Sequence, residues 1–127
     1  MTVRPFRVAL SASFRKLDGS MTYPSFDLSP LTAASGIETR FLSHEDPIRA
    51  HELEDIDALI LLSERFTKNS IPASGKLSVV ARFGVGYDTV DVEACTQNDI
   101  AVCITPDGVR RPVAVSILTL MLALTGK

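Results

Sequence analysis

Five short apolar runs, interleaved with polar stretches that carry helix-start signals, restrict this chain to one broad architecture. The runs are residues 7–11 (RVALS), 37–42 (IETRFL), 58–62 (ALILL), 77–82 (LSVVAR) and 100–104 (IAVCI). Between the first two, Ser29 and Pro30 place a capping hydroxyl before a proline already set for a first helical turn, and Gly36 supplies a stop. Asp46 and Pro47 repeat that signal and predict a helix reaching about Glu54. Asp91 caps a predicted helix over residues 92–97, and Asn98-Asp99 suits its end because both side chains tolerate positive φ. The third run is apolar throughout, as expected of a central strand covered on both faces.

Strand-helix repeats with short links predict an α/β fold: a parallel sheet with helices on both faces. Five strands fit the flavodoxin-like order 2-1-3-4-5 with right-handed crossovers. Ligands on such sheets bind beyond the carboxyl ends of the strands. Those ends are residues 11–13, 63–66, 83–88 and 105–106.

Composition narrows the function classes. The chain has 127 residues, 46% hydrophobic and 22% charged, enough for one domain with a real core. A formal net charge of -2 gives no broad attraction for nucleic acid or acidic membranes. Cys95 and Cys103 lack CxxC spacing and a metal partner, so both read as buried free thiols in a reducing cytoplasm, and no metal site is expected. The N-terminal apolar run is too short for a signal peptide.

Residues 113–124 (VAVSILTLMLAL) are almost wholly apolar, yet fall short of the roughly 20 needed to span a bilayer. A helix apolar on every side must be buried in protein. Something that follows it should cover it, so the chain is expected to be cut short.

The segment Gly84-Val85-Gly86 after the fourth run resembles the start of a dinucleotide loop, but the third glycine of GxGxxG is replaced by Thr89 and the next helix starts late. Paired glycines at a strand end instead let unshielded amides approach a small carboxylate. Asp88 and Asp91 are expected to bind backbone amides of the turn and the helix start, and Tyr87 to pack.

The segments ARFGVGYDTVDVEAC (residues 81–95) and DIAVCITPDGV (residues 99–109), followed by a long apolar helix, resemble the D-2-hydroxyacid dehydrogenase family, which includes phosphoglycerate, glyoxylate and formate dehydrogenases. The resemblance is detailed from residue 58 onward and follows only strand-helix order before it. It implies a flavodoxin-like substrate domain over residues 1–106. Residues 107–127 would form a crossing helix into a Rossmann NAD-binding domain absent from this chain. It implies a cofactor, NAD or NADP, a small 2-hydroxy or 2-oxo acid as substrate, a cytoplasmic location and a homodimer, with no nucleic-acid or membrane partner.

The resemblance also implies site roles. The substrate carboxylate would rest on the amides of Val85 and Gly86, with Val85 and Val113 near the cofactor. Ser63 and Arg65, in the loop after the third strand, would line the cleft, although Arg65 also reads as a solvated or ion-paired side chain. The histidine, carboxylate and arginine that perform hydride-transfer chemistry in the family lie in the cofactor-domain stretch. His44 and His51 match none of them, so no catalytic residue is assigned here. The sequence departs from the family in reading Val113-Ala114-Val115 where VAE is common, and in placing Asp99 where a glycine often precedes the fifth strand.

The alternative is a stand-alone flavodoxin-like binding or interaction domain without enzymatic activity. A receiver domain would need acidic residues after the first strand, where Ser11-Ala12-Ser13 stands. A flavodoxin would need a glycine-bearing phosphate loop where Phe14, Arg15 and Lys16 stand.

Overall fold

The computed structural model describes residues 3–126. Its strands are β1 (Phe6–Leu10), β2 (Ile37–Phe41), β3 (Ala58–Leu61), β4 (Val79–Arg82) and β5 (Ala101–Cys103). Its α-helices are α1 (Ser29–Thr32), α2 (Val92–Gln97) and α3 (Arg110–Thr125). The strands form one parallel sheet in the order β2-β1-β3-β4-β5, the flavodoxin-like order expected. The chain leaves β1 for β2 on one side and returns to β3 on the other, so the topological switch lies between β1 and β3.

One face of the sheet carries the core. Ala9, Leu59, Leu61 and Val80 are sealed from solvent there and pack with Leu53, Ile56, Phe66, Val90 and Cys95. Each large aliphatic side chain so buried contributes roughly 1.5–3 kcal/mol. The opposite face is less complete than the continuous run 58–62 predicts. Ile60, Val79 and Ala81 are only half-buried, while Ala101 and Cys103 are exposed. Cys95 is buried as expected, with burial pushing its thiol pKa up. Cys103 is not buried, because its strand sits at the sheet edge with one face uncovered.

The connections use less helix than the start signals suggest. α1 is a single turn, and Ser29 does not cap it. The Ser29 amide and hydroxyl both donate to the Asp27 carboxylate at 2.9 Å. No α-helix runs from Asp46 to Glu54; a 3-10 turn at Ala50–Leu53 takes its place. The Asp46 carboxylate accepts the Arg65 amide at 2.8 Å, so it is not available to amides of a first turn of its own. The Asp91 prediction holds: its carboxylate accepts the Ala94 amide at 3.0 Å at the start of α2. Asp99 then takes the positive φ, 55°, that ends the segment.

α3 is exposed along its whole length, with eight large apolar side chains from Val113 to Leu124 more than half exposed. Its polar side chains do not build a wet face. Ser116 and Thr119 donate back to the carbonyls of Pro112 and Val115 at 2.9 and 2.8 Å. With the turn before it, Pro106–Thr125 is 20 residues long and contains an 18-residue window of mean hydropathy 1.4, enough by length and composition alone to pass for a membrane-crossing helix. The residues added to 113–124 include Asp107, Arg110 and Arg111, so the almost wholly apolar stretch stays at the 12 residues read from the sequence.

Candidate functional site

The carboxyl ends of β1, β3 and β4 open into a cleft of about 730 Å³. Ser13, Leu62, Ser63 and the turn Arg82 to Gly86 line it, joined by Thr22 and Tyr23 from the loop after β1 and by Val109 at the foot of α3.

The glycine turn forms one wall. Gly84 has φ 139°, a conformation that L side chains rarely adopt, and a Cβ there would stand 2.7 Å from the Arg82 guanidinium. Thr105 pins this residue. The Gly84 amide donates to the Thr105 hydroxyl at 2.8 Å, and the Thr105 amide donates to the Gly84 carbonyl at 2.8 Å. The next two amides, of Val85 and Gly86, find no acceptor among the described residues. Val85 is 40% exposed, so its amide sits on an accessible wall rather than in the core. Two neighbouring free N–H groups at a strand end form a seat for a small anion.

The opposite wall is fixed by a buried carboxylate at the switch point. Glu64 is 8% exposed, and accepts the Ser13 amide and the Ser13 hydroxyl at 2.7 Å each, with the Ser63 amide at 3.3 Å. Ser11 adds a brace by accepting the Leu62 amide at 3.0 Å. Burial alone would raise the Glu64 carboxyl, but the Ser13 hydroxyl and amide outweigh it and hold the group below the usual carboxylate range. Glu64 thus ties the loops after β1 and β3 together and orients Ser13 and Ser63 at the cleft.

An aromatic cluster closes the third side. Phe83 packs edge-on to Phe14 at 5.4 Å between centroids, and lies 5.0 Å from Phe26 and 5.9 Å from Tyr23. The loop bearing Tyr23 is held by Thr22, whose hydroxyl donates to the Ser13 carbonyl at 2.6 Å.

Of the residues singled out from sequence, Val85, Gly86 and Ser63 come together around this cleft. Arg65 does not line it; its side chain pairs with Asp46 at 3.2 Å. Val113 lies one turn into α3, beyond the Val109 that reaches the cleft, and is 53% exposed. Tyr87 is not packed inside but 53% exposed, beside Val92, Val102 and Ile104. Asp88 makes no hydrogen bond to a backbone amide among the described residues, in contrast to Asp91. His44 and His51 are exposed and outside the cleft. Glu64 and Thr105 fall within the strand ends 63–66 and 105–106 where a ligand is expected, but no local signal in the sequence gives their roles or those of Tyr23 and Arg82.

The model of the D-isomer specific 2-hydroxyacid dehydrogenase catalytic domain matches residues 27–115. The chain belongs to this family. The match begins well before residue 58, where the detailed resemblance of the motifs starts. The chain is 41% identical over 73 residues to a glyoxylate reductase of Thermococcus kodakarensis, covering 57% of this chain and 22% of that protein. It is 44% identical over 73 residues to human D-3-phosphoglycerate dehydrogenase, covering 57% of this chain and 13% of that one. Its aligned region therefore spans about a fifth or less of these relatives. The fold superposes on NAD-dependent formate dehydrogenase from Staphylococcus aureus in complex with NAD, with a TM-score of 0.73 and 21% identity over 92% of this chain and 38% of that one.

Proposed function

We propose that this chain supplies the substrate-carboxylate site of a dehydrogenase that transfers a hydride between NAD or NADP and a D-2-hydroxy acid or its 2-oxo counterpart. The observation that carries the reading is the pair of unpartnered amides, Val85 and Gly86, on the wall of a cleft at the sheet's carboxyl edge. Ser63, held by Glu64 through its backbone, faces the same cleft and can bond the substrate oxygens. Arg65 is committed to Asp46 and takes no part in this reading.

The residues present fit one edge of a nicotinamide and no more. Val85 offers an exposed apolar contact, and Val113 on α3 a second. Gly84 cannot serve as a pyrophosphate glycine here, since its amide and carbonyl are both spent on Thr105. The nicotinamide, when bound, accepts or donates the hydride at the 2-carbon. This chain's part is to hold the carboxylate so that the 2-carbon faces that ring. Residues 1–106 act as the substrate domain, and residues 107–127 as the helix leading to a cofactor domain. The apolar surface of α3 is covered by protein in a homodimer.

In an assay of the isolated chain with NADH or NADPH and 2-oxo acids, no turnover is expected. Measurable turnover would contradict the assignment of the acid/base and arginine roles to groups outside this chain.

A further inference from the structure

We infer that the cleft selects 2-hydroxy or 2-oxo acids that carry an aromatic or branched apolar side chain over acids too small to reach its aromatic wall. This deepens, and rests on, the carboxylate-site reading above.

The wall facing the glycine turn is apolar and rigid. Phe83 and Tyr23 are 37% and 45% exposed, and both line the cleft. The Phe83 ring is braced from behind by Phe26 and by Phe14, which is fully buried. Leu62 and Val109 extend the same surface. Aromatic faces fixed in this way favour a flat or branched apolar group, which packs without ordering any new side chain. The open cleft of about 730 Å³ leaves room beside the glycine turn for more than a two-carbon acid.

Arg82 is the one charged residue lining the cleft, and its guanidinium lies against the Gly84 turn and donates to the Phe83 carbonyl. The part of the lining made by Tyr23, Leu62, Phe83 and Val109 carries no charged group to solvate, which suits an apolar side chain.

The test is titration of the isotopically labelled chain with D-phenyllactate, D-2-hydroxy-4-methylpentanoate and glycolate, following backbone amide shifts. The expected result is that all three move the Val85 and Gly86 amides. The two apolar acids should bind at least tenfold more tightly than glycolate. Tyr23→Ala leaves the Phe14, Phe26 and Phe83 cluster in place, and should cut that preference at least threefold, whereas Tyr23→Phe should keep it. Equal or tighter binding of glycolate, or a preference unchanged in Tyr23→Ala, would overturn the inference and leave the carboxylate seat standing. If none of the acids moves Val85 and Gly86, the seat itself is wrong and the inference falls with it.

Discussion

Thr105 and Gly84 hold each other by two hydrogen bonds of 2.8 Å, amide to hydroxyl in one direction and amide to carbonyl in the other. This clamp spends the polar groups of Gly84, and leaves the next two amides as the first ones free for a ligand. Thr105→Val keeps the shape but removes the acceptor. It is expected to destabilise the chain by about 0.5–1.5 kcal/mol in urea unfolding. Hydrogen exchange at the Gly84 amide should accelerate at the same time; unchanged exchange would show that the clamp does not order the turn.

Gly84→Ala meets two obstacles. Arg82 can move aside from the new Cβ, but φ 139° strains any L residue. A loss of about 1–3 kcal/mol is expected in thermal or urea unfolding. Gly108→Ala is the control, since a Cβ there meets nothing within 4 Å and φ is not positive. It should be neutral to within about 0.5 kcal/mol.

Glu64 should make stability acid-sensitive. Its folded pKa lies below the unfolded one, near 4.3, so its contribution is present above that value and is lost as pH falls through the folded pKa. Asp46 and Asp57 shift in the same direction and add to the decline. Glu64→Gln turns an amide NH₂ toward the Ser13 donors, and should cost about 1–3 kcal/mol at pH 7. The stability of that variant should also fall less steeply below pH 5. A slope identical to the parent's would remove Glu64 from the account.

α3 should drive association. Sixteen helical residues are marginal alone in water, and these expose apolar groups on all sides. Light scattering at rising concentration should show self-association, reduced when Leu118 and Leu122 are both changed to Glu. A monomer at high concentration would contradict the need for cover.

The sheet was legible because its signals are local. Five short runs, the Asp91 cap and the Asp99 turn each depend on a few neighbouring residues, and all three kinds of signal hold in the structure. The Asp46 helix failed because a long-range partner, the Arg65 amide, took the carboxylate that local reasoning assigned to a cap. Cys103 failed for a similar reason. An apolar run records a strand, but not which of its faces the rest of the chain covers. The site was half legible. The Gly84-Val85-Gly86 pattern marks the turn proposed as the carboxylate seat, whereas Glu64 meets Ser13 across 51 residues and Thr105 meets Gly84 across 21. No spacing rule reports such pairs. Tyr23 escaped because its value lies in the neighbouring Phe83 ring, not in its own sequence context.

The most direct test of the central claim is an amide-resolved titration of the isolated chain with glyoxylate, with chloride at equal ionic strength as the reference. The largest saturable shifts are expected at Val85 and Gly86, with smaller ones at Ser13 and Ser63 and none from chloride. Shifts confined to other segments, or identical responses to chloride, would contradict the assignment of this turn as the carboxylate seat.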